Sequence, residues 1–218
     1  MRQNTFYGSA LIGGSLLLLA MGLTHPTGAR LFTTREALAD FTFIDHVAHG
    51  LAIAGVCLAV VGLAGFSRFL GTTRPTVTAA FVTFAMTASA LIVAPALDGF
   101  VVPQLANRWF DADAPTQATL RQLIIFCVSI AGVLTRLYMT LGAMAILLWS
   151  FAAWRVRLSR VLPWLGAFVA VAGLAASLGG PPMVSVHELL AVALGQALWM
   201  AWAGVAMLRA DAPSTGAS

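Results

Sequence analysis

Long apolar runs constrain this chain more than any other feature. A helix needs about 20 apolar residues to cross the roughly 30 Å hydrocarbon core of a membrane, and the sequence contains six such runs. Only 9% of the 218 residues are charged, too few to cover a soluble domain of this size. The runs are continuous rather than alternating, which argues against membrane-spanning strands. We therefore predict an all-α integral membrane bundle of six helices, over residues 5–24, 43–66, 75–97, 136–154, 161–179 and 186–208.

Composition also excludes several other classes of protein. A content of 60% apolar residues excludes a disordered chain, and two cysteines are too few for a disulfide scaffold. The arginines are scattered rather than gathered into a stripe, which argues against binding to nucleic acid. We expect one transmembrane domain over residues 1–210, with residues 211–218 as a disordered tail.

The fourth run is longer than a membrane requires. No turn signal interrupts the stretch from Thr119 to Trp154, which as a helix would extend for about 54 Å. Counted back from Trp154, a full crossing is complete near Arg136. We therefore expect residues 120–134 to form an additional extended or interfacial helix at the outer face, with a bend near residues 131–132.

The first run has a second interpretation. Arg2, the apolar core of residues 10–23 and the small residues Gly28 and Ala29 resemble the three regions of a signal peptide. The core is long enough to span a membrane by itself, so a retained first helix is our main expectation.

The charges are distributed unequally between the two faces of the predicted bundle. Six spans place both termini on one side. That side carries Arg2, Arg68, Arg74, Arg155, Arg157, Arg160 and Arg209, with Asp211 as its one acid, whereas the other side carries Arg30, Arg35, Arg108, Arg121, Glu36, Asp40, Asp45, Asp98, Asp111, Asp113 and Glu188. Because basic loops stay in the cytoplasm, both termini are predicted to be cytoplasmic.

All four histidines lie on the predicted outer side. His25 ends the first span, His46 and His49 open the second, and His187 opens the sixth beside Glu188. Counting along the helices from the arginines of the inner face places His49, Arg136 and Glu188 at one outer depth, about 19 to 21 residues away. Asp98 lies at a similar height, at the top of the third span.

The spacing at the start of the second span favours a metal site. His46 and His49 are three residues apart and Asp45 and His49 four apart, and both spacings place the partners on one helix face. Two imidazoles on one face can bind one cation, with Asp45 as a ligand or as an acceptor that orients a ring. His25 would supply a third nitrogen. Such a set suits Zn²⁺ or Cu²⁺ best.

Three further arrangements of the outer polar residues remain as alternatives. His187 and Glu188 are candidate metal ligands as well, but as neighbours on a helix they diverge by about 100° and do not readily reach one ion. His49 facing His25 or His187 would hold a b-type haem, although no histidine lies deep in a span, which disfavours it. Asp98 and Arg136 would form a structural or functional ion pair.

A purely structural interpretation stands beside these. Polar residues accumulate at helix ends in any membrane protein, so a shared depth is partly forced by the architecture. Asp45 lies in the predicted first turn of a helix, where a carboxylate is favoured in any case. Histidines and acids at this depth can cap helices or face headgroups.

The pattern of His25-Pro26, Asp45-His46 and His49, together with residues 96–100, resembles small bacterial polytopic membrane proteins of unknown function. The resemblance covers about the first third of the chain. It implies a protein of the bacterial inner membrane, and it implies no activity and no functional residues.

The sequence thus favours an inner-membrane protein with a histidine and carboxylate pocket at its extracytoplasmic face. The pocket would bind a transition metal for sensing, delivery or redox work, and the partners would be the lipid bilayer and the metal ion. A transporter or permease is one alternative, and a non-catalytic scaffold or assembly factor is another. A scaffold predicts that the outer polar residues do not converge, whereas a metal site requires them to.

Overall fold

The computed structural model describes residues 3–25, 34–179 and 186–210, without the side chains of residues 179 and 186–188. The predicted tail, residues 211–218, and the small residues Gly28 and Ala29 lie outside this range. The described residues are helical throughout, with short connections and no strand. The helices are α1 (Gln3–Thr24), α2 (Arg35–Leu70), α3 (Pro75–Ala96), α4 (Val102–Trp109), α5 (Ala114–Arg155), α6 (Leu162–Gly179) and α7 (Val186–Ala210). A π-helical turn, Leu97–Val101, joins α3 to α4.

Five apolar helices are long enough to cross a membrane. They are Gln3–Thr24, Arg35–Leu70, Pro75–Trp109, Ala114–Arg155 and Leu189–Ala210. The fifth predicted span, residues 161–179, corresponds to a shorter apolar helix, Leu162–Leu178, about 25 Å long against roughly 30 Å of hydrocarbon. The described residues therefore form an all-helical bundle of the kind that membranes contain, with five long apolar helices and one shorter apolar helix.

Helix α2 begins eight residues before the span that the sequence predicts. Thr34 caps its first turn, where the threonine hydroxyl accepts a hydrogen bond from the backbone N–H of Ala37. The polar residues of this extension lower its hydropathy, so a search for apolar runs places the start of the helix too late to include them. As a result His46 and His49 lie in the interior of a helix rather than at its start.

Helices α3 and α4 form one continuous helical segment, Pro75–Trp109, through the π-helical turn. A π turn adds one residue to a helical turn and so changes the direction of every side chain that follows it. Here it lies at Asp98 and Gly99, beside the middle of α2.

Helix α5 runs unbroken for 42 residues, about 63 Å. It passes through the predicted bend at Ala131 and Gly132 as regular α-helix, so the additional outer helix is an extension of the fourth span. Its first turn is capped by Asp113, whose carboxylate accepts a hydrogen bond from the backbone N–H of Thr116. This bond stabilises the charged form and lowers the pKa of Asp113 below its usual range.

Glycines bring α1 and α2 into backbone contact. A Cβ atom at Gly14 would lie 2.8 Å from both the carbonyl oxygen of Gly55 and the backbone nitrogen of Ala59. A Cβ at Gly62 would likewise lie 2.6 to 2.7 Å from atoms of Leu11. Close approach through small residues is how membrane helices gain packing energy where lipid supplies no hydrophobic drive.

Two tryptophans occupy the centre of the core. Trp149 of α5 and Trp199 of α7 are fully buried and stack at 6.0 Å between ring centroids. The indole N–H of Trp149 donates to the hydroxyl of Ser67, 3.0 Å away, and that of Trp199 donates to the carbonyl of Leu162, 3.2 Å away. Both buried donors are therefore satisfied, and they tie α5 to α2 and α7 to α6.

Candidate metal centre

A small cavity lies between five helices on the side of the bundle that holds the histidines. Its volume is about 90 Å³. Its walls are mostly apolar, with polar groups from His25, His49, Asp98, Thr135 and Tyr138. The remaining lining residues are Leu18, Met21, Ala52, Leu91, Ala94, Pro95, Ala131, Leu189 and Ala193. A mostly apolar cavity with a few converging polar groups is the usual form of a ligand site.

Asp45 and His49 form a buried pair one helical turn apart. They are 3% and 4% exposed, respectively. The Nδ1 atom of His49 lies 2.8 Å from the backbone carbonyl oxygen of Asp45 and 3.1 Å from its carboxylate Oδ1. With both oxygens as acceptors, Nδ1 is the nitrogen that carries the proton in the neutral ring. The Nε2 atom then presents its lone pair on the opposite side of the imidazole.

His25 approaches this pair from a different helix. It follows directly after α1, and its backbone N–H donates to the carbonyl of Met21, which continues the helical pattern by one residue. Its ring lies edge-to-face against that of His49, with 5.0 Å between the centroids. One ligand atom each from His25, Asp45 and His49 can be chosen so that all three lie within 4.8 Å of one another.

The π-helical turn supplies a second carboxylate. Asp98 Oδ2 lies 3.6 Å from His49 Nε2, on the side away from Asp45. The Asp98 side chain is 42% exposed, so the site is open at this point. The next residue, Gly99, packs directly on the imidazole, and a Cβ atom there would overlap the ring of His49. The turn thus fixes one face of His49 and brings an acid to its Nε2 atom.

The chemistry of the group matches a small transition-metal ion. Zinc bonds to imidazole nitrogen and carboxylate oxygen are about 2.0–2.2 Å long, so ligand atoms around a tetrahedral ion are about 3.3 Å apart. The observed spread of up to 4.8 Å is wider than this, and side-chain rotations of about 1 Å would close it. Zn²⁺ and Cu²⁺ both favour such nitrogen and oxygen ligands.

His46 lies apart from the group, although it is only three residues from His49. Three residues rotate a side chain by about 300°, which leaves the two rings about 60° apart around the helix. The π-helical turn packs against α2 between the two rings. Gly99 packs against His49, whereas the ring of Phe100 stacks on His46 at 5.0 Å between centroids. His46 lines a separate surface pocket between α2 and α4.

The other candidates have different outcomes. The side chains of His187 and Glu188 lie outside the described residues, although Leu189 and Ala193 of the same helix line the cavity. Asp98 makes its ion contact with His49 rather than with the predicted partner Arg136. Arg136 is half-buried on α5 and has polar or electrostatic contacts of its own.

Sequence reasoning missed the contact of Gly99 with His49. This contact has no signature at the level of spacing, because it joins residues 50 positions apart. The glycine of the Asp98-Gly99-Phe100 run was the available signal, since small residues in membrane helices often mark close approach of a neighbouring helix.

Comparison with known proteins gives no further guide. The chain has no significant match to any protein-family model, curated protein or solved structure.

Proposed function

We propose that this chain is a polytopic membrane protein that binds one transition-metal ion, Zn²⁺ or Cu²⁺, through His25 and His49. The observation that carries the proposal is the approach of His25, Asp45 and His49 within 4.8 Å at the wall of a cavity. An isolated Asp45–His49 pair would already satisfy its own hydrogen bonds and would need no second imidazole. The arrival of His25 from another helix is what a structural pair does not explain.

Each residue has a distinct role in this proposal. The Nε2 atom of His49 and one nitrogen of His25 bind the ion. Asp45 accepts the Nδ1–H of His49, which fixes the tautomer and makes Nε2 a stronger ligand, as carboxylate–histidine pairs do in metal sites. Asp98, 3.6 Å from Nε2, is the nearest further carboxylate. It stands outside the group of His25, Asp45 and His49, and a movement of its side chain toward His25 would make it the third ligand.

Three protein ligands leave one position of a tetrahedral ion open toward the cavity. Structural zinc sites are closed by four protein ligands, whereas sites that exchange or activate a ligand keep a position open. An open site with a half-exposed carboxylate at its entrance favours delivery, sensing or redox work over a structural role. A scaffold or assembly factor would not need these groups to converge.

The proposal places the site at the extracytoplasmic face of a bacterial inner membrane, with both termini in the cytoplasm. This orientation is supported by the arginine bias described above. The metal ion would then enter from the outer compartment, past Asp98, without crossing the hydrocarbon core.

Metal content is the direct test. Purified full-length protein in detergent, stripped with a chelator and reloaded with Zn²⁺ or Cu²⁺, should retain one ion per chain by elemental analysis. His25→Ala and His49→Ala should retain none above background. Asp45→Asn should weaken affinity about 10- to 100-fold, because it removes the group that orients a ligand.

His46→Ala is the matched control, because it removes an imidazole three residues from His49 on the same helix. It should bind the ion as the wild type does. A wild-type protein without bound metal would refute the proposal, and so would equal losses in His46→Ala and His25→Ala. His25 is only half-buried, so its variant keeps the test valid if His49→Ala does not fold.

A further inference from the structure

The connection between α5 and α6 gathers three arginines around a surface cavity. Arg155, Arg157 and Arg160 are all exposed, and together they line a depression of about 830 Å³. In the part of the chain that the structure describes, the ion pairs join other residues, and none neutralises these three. The cavity therefore carries a concentrated positive charge without a carboxylate from the described residues.

Backbone hydrogen bonds hold this connection in a defined shape. The N–H groups of Arg157 and Leu158 donate to carbonyls of the last turn of α5, at 3.1 Å each. Ser159 accepts bonds from the backbone N–H groups of Val161 and Leu162 and so caps α6. Arg157 has a φ of 54°, a left-handed conformation that is uncommon for residues other than glycine and that occurs often at ligand sites. The arginines are thus presented by an ordered loop.

The arginine cavity continues into an apolar groove between α5 and α6. The groove has a volume of about 240 Å³ and shares Trp154, Pro163 and Trp164 with the arginine cavity. Phe151 and Leu147, both about 40% exposed, extend it along α5 toward the middle of the bundle. A charged compartment joined end to end with an apolar one matches a ligand that has an anionic head and a hydrocarbon tail.

A buried hydroxyl lies in the wall of the apolar groove. Ser150 is 2% exposed, and its Oγ atom has no hydrogen-bond partner among the described residues. It lies five residues, about 7.5 Å, below Arg155 along α5. The Oγ atom packs against Gly166 of α6, at the contact between the two helices, so Ser150 marks the depth of the groove and is not itself a contact for the ligand.

We propose that this site binds one anionic phospholipid from the adjacent leaflet. The phosphate contacts Arg155, Arg157 and Arg160, the glycerol esters lie between Trp154 and Trp164, and one acyl chain follows the groove. Basic pockets between transmembrane helices bind anionic headgroups through the same combination of charge and apolar contact. The site lies at the C-terminal end of α5, whereas the metal cavity borders the middle of that helix, and the two sites share no residue.

The test compares two lipids that differ only in headgroup charge. Full-length protein in detergent is titrated with phosphatidylglycerol or with phosphatidylcholine of the same acyl chains, and bound lipid is counted by native mass spectrometry. We expect one phosphatidylglycerol to bind preferentially. Arg157→Asn/Arg160→Gln should weaken this binding by about five-fold per arginine, about 25-fold for the pair. Asparagine is chosen because it tolerates the left-handed conformation at position 157.

Two further variants distinguish the contribution of the headgroup to binding from that of the acyl chain. Arg108→Gln/Arg121→Gln removes the same charge from exposed positions elsewhere and should leave binding unchanged. Ala167→Leu fills the apolar groove without altering charge and should weaken phosphatidylglycerol binding as well. This variant keeps the test decisive if the double arginine variant does not fold.

Three results would overturn the proposal. The first is equal binding of the two lipids to the wild type. The second is an equal effect of the Arg157/Arg160 and Arg108/Arg121 pairs. The third is full protection against thermal unfolding by inorganic phosphate alone, which would show a simple anion site without a lipid.

Discussion

At the scale of single residues, the contact between Gly99 and His49 determines where the imidazole can lie. Asp45 holds Nδ1 from one side and the π-helical turn covers the ring from another, so the ring has little freedom to rotate. Ligand groups that are locked by their neighbours bind metals with a smaller loss of entropy. The backbone at position 99 is therefore as important to the site as the ligands themselves.

Gly99→Ala should disturb the site without removing a ligand. The added Cβ overlaps the His49 ring, so the ring or the turn must move, at a cost of about 1–3 kcal/mol in stability. We expect a lower melting temperature and weaker metal binding than in the wild type, measured by thermal unfolding and by metal titration.

Gly50→Ala is the control for this variant, because it lies beside His49 and a Cβ there meets nothing within 4 Å. It should leave both quantities unchanged or raise stability slightly, since alanine is the better helix former. Equal effects at the two glycines would contradict the assigned contact.

The residues of the site were partly accessible from sequence. The spacing of Asp45 and His49 on one helix face, and the position of His25 at the end of a span, were sufficient to nominate these three. The separation of His46 from the group was not accessible, because it depends on the π-helical turn between the two rings. The π-helical turn therefore determines that His49, and not His46, faces the cavity.

At the scale of helices, α1 and α2 are joined by backbone contact rather than by large side chains. Gly14 and Gly55 meet where the two helices cross, and each would place a Cβ within 3.0 Å of the partner backbone. Backbone atoms cannot yield as a flexible side chain can. The separation of the two helices, and with it the approach of His25 to His49, therefore depends on these glycines.

Gly14→Ala should weaken the packing of α1 on α2. The methyl group meets the backbone of Ala59 and Gly55 at 2.8 Å, and overpacking of this kind costs about 1–3 kcal/mol. A lower melting temperature in detergent is expected. The neighbouring Gly13→Ala, whose Cβ meets only a leucine methyl at 3.8 Å, should be close to wild type. The assignment fails if the two variants are equally unstable.

Helix type was easier to predict than helix limits. Hydropathy located the apolar runs, because a bilayer selects for them directly. It placed the start of α2 too late, since residues 35–42 are held in a helix by the Thr34 cap, by the ion pair of Arg35 with Asp111 and by the packing of Leu38 on α4. It also gave no sign of the π-helical turn, which depends on tertiary contacts.

At the scale of the whole molecule, the length of α6 decides the topology. Five helices are long enough to cross a bilayer and α6 is shorter. A short helix can cross if the bilayer thins around it, at a modest cost. If α6 crosses, both termini share one side, and if it does not, they lie on opposite sides.

We expect α6 to cross, with both termini in the cytoplasm. A fluorescent protein that folds only in the cytoplasm should therefore be bright when fused after Ser218. A periplasm-dependent phosphatase inserted after Ala112, between α4 and α5, should be active. The positive-inside bias of the Arg155–Arg160 connection is the physical reason. A dark fusion after Ser218 would show that α6 does not cross.

Because α5 is much longer than a bilayer is thick, the thickness of the bilayer determines the surroundings of the site. A helix of about 63 Å is twice as long as the hydrocarbon core is thick, and a crossing measured from Arg155 is complete near Arg136. The cavity residues Ala131, Thr135 and Tyr138 lie at that exit point. A thicker bilayer would submerge the entrance beside Asp98, and a thinner one would leave it in water. If the site binds metal as proposed, lipid composition would set the rate at which ions exchange with it, without altering any residue that holds them.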